Sequence, residues 1–392
     1  MKKHGATVLY AWMQAMVWGS YAVLLSFSSN YLKGHRFNDA RISLLLGLAS
    51  ALSILIQLAA AERVSRSRRL TLSAVLMAAV SVMLVSCVAM LLCSAAHALA
   101  VSFFALACVV LQILPALANS LGVSAMQNGA RIHFGLARGI GSLFYSLMSY
   151  LGGLCVGQFG LGMIPALTAV TCLGLLLSLL FFRMRVGEVP AAPKESAPKN
   201  GSFLRRNPRF TLFLLGSTLL YINHNLICNF MQQIMAVKGG GETQQGTAAA
   251  IAAFLELPAM FTFTYLLRLA RCERWMKLSC FFFIAKAVTM LLAPNYQWVY
   301  VAQISQMLGF ALYSISSVYY ASALFCGADA VRGQSYLGAT ITAGSLIALS
   351  TGGLICQQFG AQTMLLAAAA AAALGTVIIL CTAQKTGKEE TV

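Results

Sequence analysis

Apolar residues run through this chain in long stretches of about 17 to 25, the length an α-helix needs to cross the hydrocarbon core of a bilayer. Twelve such runs can be marked: about 7–31, 42–61, 70–94, 97–119, 134–157 and 160–182, then about 210–235, 245–267, 276–293, 298–325, 334–357 and 361–382. They do not alternate with period two, so they predict helices rather than strands of a membrane barrel. Between the sixth and seventh runs lies the long polar segment 183–209. It carries Pro190, Pro193 and Pro198 among basic residues, and its composition reads as an extended connector.

The two halves share a fragment. GGLCVGQFG, Gly152 to Gly160, returns as GGLICQQFG, Gly352 to Gly360, with six of nine positions identical at an offset of 200 residues. Each copy closes one predicted span and turns into the next. The expected fold class is an all-α membrane protein of twelve transmembrane helices in two six-helix bundles. Its parts are 1–182, a linker 183–209, and 210–392. A parallel repeat of this kind places a transport pathway between the halves.

Composition agrees with this pattern. Hydrophobic residues make up 59% of the chain and charged residues 9%, against roughly 25% charged in soluble domains. The net charge of +17 does not form a nucleic-acid surface, because the Lys and Arg occupy short loops with no polar domain to present them. They collect after the second run (AERVSRSRRL), after the eighth (RLARCERWMK), in the linker and at both ends. With an even number of spans, all these fall on one side, which predicts cytoplasmic termini in a cytoplasmic (inner) membrane. Eleven Cys are scattered through apolar runs without metal-ligand spacing and read as packing residues. No cofactor, metal or catalytic motif stands out, and an enzyme is not expected. The N-terminus does not read as a cleaved signal peptide.

The chemistry is in the polar groups left inside the runs. Of ten acidic residues, nine fit loops, termini or helix ends; Glu256 lies about a dozen residues from either end of its run. An unpaired carboxylate at that depth costs roughly 3 kcal/mol on insertion scales, so it faces a cavity or a partner. A proton-coupling group and a structural carboxylic acid both fit. Lys286 on the next run is the matching anomaly, either a counter-charge or a second site group. The seventh run carries Asn225, Asn229, Gln232 and Gln233 on one helical face, lining an aqueous path or joining helices. The first run offers Gln14, Trp18 and Tyr21 at spacings of 4 and 3, which either suit a ring-bearing or sugar-like ligand or are ordinary aromatics of a span. Gln303, Gln306 and Tyr313 give a weaker hint in the tenth run.

Several of these positions resemble the major facilitator superfamily, in particular the branch of lactose permease and phenylpropionate permease-like proton symporters. GLARGIGS, with Gly135, Arg138, Gly141 and Ser142, resembles the fifth-span pattern of that branch. Glu256-Leu257-Pro258 resembles its eighth-span Glu-x-Pro, and DAVRGQ, Asp329 to Gln334, its entry to the eleventh span. The resemblance implies alternating access around a central site, with Arg138 contacting solute and Glu256 supporting proton coupling. Glu62 and Arg63 stand in a worn version of the superfamily's gating loop. Two departures matter: spans three to six hold no acidic residue, and the tenth span has neither His nor Glu. The expected partners are a small polar or anionic solute, protons and lipid, with the protein a monomer. Proton-driven efflux, and a sensor or scaffold that has lost transport, remain the alternatives.

Overall fold

Hydrocarbon offers the backbone no hydrogen-bond partners, so each apolar run must satisfy its own N–H and C=O groups by coiling. The computed structural model describes residues 5–66, 71–94, 96–127, 130–186, 203–325 and 327–386, and among them regular structure is helical throughout. Ten helical stretches are long and apolar enough to cross a membrane, or eleven with the bent first span. The last of them, Tyr336–Thr382, is divided at Gly360 (φ 82°, ψ 165°) and covers two crossings. Among the described residues this gives twelve crossings. The chain forms two compact units, Met1–Ala197 and Pro198–Val392.

In the first unit the first span is Gly5–Ser20, a π-helical turn Tyr21–Leu25 and Ser28–Gly34, bent by 42°. The second to sixth spans are Asp39–Arg66, Leu72–Leu92, His97–Gln127, Phe134–Phe159 and Met163–Val186. The first span packs along the fifth and sixth, and the fourth lies against the second and third. Leu44, Leu48, Leu52 and Leu55, spaced on one face of the second span, are exposed, as lipid-facing leucines should be.

In the second unit the seventh span is Pro208–Asn229 followed by Met231–Val237, and the eighth and ninth are Glu242–Leu269 and Cys272–Leu292. The tenth is Tyr296–Gln303, a π-helical turn Met307–Ala311 and Leu312–Leu324; the eleventh and twelfth share Gly327–Thr382. The seventh span packs along this final run. Gly216 and Gly375 allow a close approach: a β-carbon on Gly375 would lie 2.7 Å from the Gly216 carbonyl.

The repeated fragment has matching roles in the two units. Gly160 (φ 86°) and Gly360 (φ 82°) both take a left-handed backbone that other residues avoid, turning one span into the next. Gly152 and Gly352 each face a phenyl ring, Phe27 and Phe230 respectively. Both rings sit where the first span of their unit breaks its helix.

Two sequence expectations need correction, and two charged side chains near helix ends are buried. The segment AERVSR is not a loop, because the second span stays helical through Arg66. The linker is not extended at its ends: 183–186 complete the sixth span, and Phe203–Arg206 is a helical turn. Phe203 anchors that turn by stacking on Tyr336 (5.6 Å, 8°) and edging onto Phe210 and Phe325. Lys238 lies in the turn after the seventh span but is not solvated. It is 8% exposed, and its ammonium donates to the Leu291 and Ala293 carbonyls (3.1 and 2.6 Å), capping the ninth span with a cation. Glu273 does sit at a helix end, but it is buried and accepts from the Thr386 hydroxyl at 2.5 Å. Glu273 is thus more buried than Glu256, which keeps partial exposure.

Candidate functional site

Among the described residues, each unit holds a polar cluster that includes candidates singled out from the sequence. In the first unit it is built on the first span, where Tyr10, Gln14 and Trp18 follow one another at helical spacing of four. Gln14 is fully buried and its amide is heavily committed. Nε2 donates to the Tyr10 hydroxyl (2.7 Å) and to Asn119 Oδ1 (2.9 Å), while Oε1 accepts from Trp18 Nε1 (3.1 Å). The Tyr10 hydroxyl donates onward to the Ala118 carbonyl (3.2 Å). The indole is thus fixed by a hydrogen bond at one edge, and Arg138 of the fifth span lies over its face, Cζ 4.0 Å from the ring centroid. Arg138 Nη1 also donates to Ser142 Oγ (3.1 Å). Gly141 makes this approach possible, since a β-carbon there would lie 2.8 Å from the Trp18 ring. Tyr21 adds its ring 5.5 Å from that of Trp18, at the start of the π-helical turn.

This arrangement separates the first-span residues by role. Both hydrogens of the Gln14 amide are spent inside the unit, so Gln14 orients Trp18. Trp18, Tyr21 and Arg138 keep partial exposure. A guanidinium on an aromatic face retains in-plane N–H donors for a carboxylate, phosphate or carbonyl.

The cluster of the second unit joins four spans. Lys286, buried on the ninth span, donates to Gln306 Oε1 at 2.5 Å. Gln306 Nε2 donates in turn to Glu256 Oε1 of the eighth span at 2.8 Å. The carboxylate and ammonium are joined through a neutral amide whose two ends match the two charges. Gln306 immediately precedes the π-helical turn of the tenth span, and such turns often mark functional positions. Phe310 within the turn stacks on His224 of the seventh span (3.9 Å between ring centroids, 7°). Cys228 Sγ lies 3.7 Å from His224 Nε2, and His224 and Cys228 are within electrostatic reach of Lys286.

The amides of the seventh span do not form one continuous face, because the helix breaks at Phe230 (φ −110°, ψ 26°). Before the break, Asn225 donates to its own helix at the Tyr221 carbonyl (2.8 Å) and accepts from Asn229 (3.4 Å). Beyond it, Gln232 is partly exposed and Gln233 is buried. Asn223 joins helices instead, donating to the Ala368 carbonyl at 2.8 Å. Glu62 and Arg63 fall within the helix Asp39–Arg66, with side chains outside the described residues, as are those of Asp329, Arg332 and Gln334.

Sequence reasoning missed Tyr10 and Asn119 and gave Gln306 only a minor place. Asn119 was visible as an amide inside an apolar run, the signal that singled out Gln14. The importance of Gln306 depends on which neighbours it meets. Among the described residues no group of three His, Cys, Asp or Glu side chains could hold a metal ion.

A model of the MFS_1 like family matches residues 10–367. No curated protein sequence matches the chain. Among solved structures, a point mutant of the nucleoside transporter NupG is similar with a TM-score of 0.79 at 12% identity, covering 97% of this chain and 100% of that one. An auto-inhibited POT family peptide transporter gives 0.77 at 12% identity, covering 99% of each chain. A bacterial homologue of the iron transporter ferroportin, in an inward-facing state, gives 0.74 at 13% identity, covering 97% and 99%. At these identities the likeness concerns the fold.

Proposed function

The chain belongs to the MFS_1 like family, and on that premise we propose that it is a secondary transporter moving a small polar or anionic organic solute by proton-coupled alternating access. The observation that carries the coupling reading is the bridge Lys286–Gln306–Glu256. A carboxylate in the middle of the eighth span, accepting from the Gln306 amide and linked through it to a buried cation, exchanges one proton for a change of one unit in charge at that depth. Such a change biases a two-state carrier, because the state that better solvates the charge is favoured when Glu256 is ionised. In this reading Glu256 loads from outside and releases inside, with both termini cytoplasmic in the inner membrane and the carrier a monomer.

Solute recognition is assigned to Arg138 and Trp18, with Tyr21 beside them. The motif GLARGIGS supports placing the chain near lactose permease and phenylpropionate permease-like carriers. Spans three to six hold no acidic residue, so the acidic group that the resemblance would supply there is absent, and the guanidinium on the Trp18 face suits an anionic or strongly accepting solute. The fold does not choose among solutes, since the similar structures are named for nucleosides, peptides and iron.

Reconstituted vesicles test this directly with a panel of aromatic acids, nucleosides and small glycosides, read with and without a proton gradient. The expected result is accumulation of at least one class driven by the gradient, solute-evoked proton movement, and loss of both in Glu256→Gln with counterflow exchange retained. Gradient-driven accumulation by Glu256→Gln at the wild-type rate would refute the coupling role. The sign of the gradient that drives net flux separates uptake from efflux.

A further inference from the structure

Gln303 is the odd residue of the second unit. It is 1% exposed, and neither its Oε1 nor its Nε2 has a hydrogen-bond partner. A buried amide with both ends unsatisfied is costly in any protein, and in most cases one end at least finds a backbone group. Its position gives the exception a meaning. Tyr296, Tyr300, Gln303 and Gln306 follow at spacings of 4, 3 and 3, so they lie along one face of the tenth span. At the end of the span nearer the loop, the Tyr296 and Tyr300 rings meet edge to face at 5.8 Å, and the Tyr300 phenol lies beside Thr247 of the eighth span. At the deep end, Gln306 holds Glu256 of that same eighth span. The two spans thus run in register, with polar contacts between them at the level of Tyr300 and again at Gln306. Gln303 sits between these levels.

We propose that the Tyr300–Gln303–Gln306 face, closed by the eighth span, is a hydrated proton-access path to Glu256 within the second unit. The proposal rests on the coupling reading of Glu256 and on the orientation that puts the Tyr296 end outside. Gln303 orders water on both its donor and its acceptor. A proton arriving as hydronium passes from water to water along this face. It ends on the Glu256 carboxylate, which becomes a carboxylic acid as the last hydronium returns to water. Gln303 is a positioning residue in this step, because the amide itself neither gains nor loses a proton overall. Gln306 closes the deep end: its Nε2 marks the carboxylate oxygen, and its Oε1 is held by Lys286. The other titratable groups near Glu256 are Lys286 on the ninth span and Cys228 on the seventh, with His224 close to both. Gln303 is the amide on the tenth-span face between them and the loop end.

The test needs no knowledge of the solute. Full-length protein in lipid vesicles is transferred to acidic deuterated buffer, and the exchange of the Glu256 carboxylic C=O band is followed by infrared spectroscopy. Difference against Glu256→Gln identifies the band. Gln303→Leu should slow this exchange by roughly tenfold, the size expected for losing one well-ordered hydrogen-bond bridge. Gln303→Asn, which keeps an amide, should restore most of it. Wild-type exchange in Gln303→Leu with an intact band overturns the path. Equal slowing in Leu and Asn variants also overturns it, since bulk and packing would then be the cause. If wild-type protein shows no Glu256 band at any pH, the coupling reading itself falls, and the path with it.

Discussion

Lys286→Met should cost more stability when Glu256 is present than when it has been replaced by Gln. The two hydrogen bonds through Gln306, 2.5 and 2.8 Å, together with the ~2.3 Å width of an amide, put the opposite charges no more than about 7.6 Å apart. With an effective dielectric of about 20 for a protein interior, their attraction is about 2 kcal/mol. Removing the lysine alone abolishes that attraction and leaves Gln306 Oε1 without its donor. One-sided loss of a fully buried pair typically costs about 3–5 kcal/mol, and with Glu256 only partly buried the cost falls at the lower end of that range. In the Glu256→Gln background the same change removes an unbalanced buried cation, so much of the cost disappears. A double-mutant cycle, read by reversible unfolding in mixed micelles at mildly alkaline pH, should give a coupling free energy of about 2 kcal/mol. The coupling should shrink in acid as Glu256 takes up a proton. Single-mutant costs that add to within ~0.5 kcal/mol at alkaline pH would refute the bridge as an electrostatic link.

The repeated glycines give a second expectation. A β-carbon on Gly352 would lie 2.3 Å from the Phe230 ring, whereas one on Gly152 would lie 3.3 Å from Phe27. Gly352→Ala should therefore destabilise by about 1–3 kcal/mol and Gly152→Ala by less than about 1 kcal/mol. Melting temperatures would show it, and equal shifts would mean that the two corners pack alike. The third concerns the loop end of the first unit, where His35 and His97 meet with their Nδ1 atoms 2.8 Å apart. Partial burial and then the neighbouring His97 lower the His35 pKa from its ordinary 6.5. The unfolded chain therefore binds the proton first. The contribution of this contact is present above pH 6.5 and is lost as pH falls from there through the lowered folded value. His35→Gln should flatten the dependence of unfolding free energy on pH in that acidic window; an unchanged slope would remove His35 as its source.

Much of this protein is legible in one dimension because burial in hydrocarbon is a property of single segments. A run of about 20 apolar residues must become a helix wherever it lies, so the crossings, and the repeat that pairs the corners at Gly160 and Gly360, follow from the sequence. Glu256 and Lys286 stand out for the same reason, since the cost of a deep charge can be read without knowing its neighbours. Tertiary structure decides what those groups do, because hydrogen bonds at depth depend on which helix faces meet. Gln14 and Gln306 look alike as amides in apolar runs. Packing turns Gln14 inward to orient an indole, and places Gln306 between a carboxylate and an ammonium. Lys238 and Glu273 look like loop charges until the ninth span brings a carbonyl terminus to one and the segment after the twelfth span brings a buried hydroxyl to the other. The break at Phe230 likewise divides a polar face that seemed continuous. Depth was fixed by the order of residues; partnership was fixed by the rotation and register of the helices.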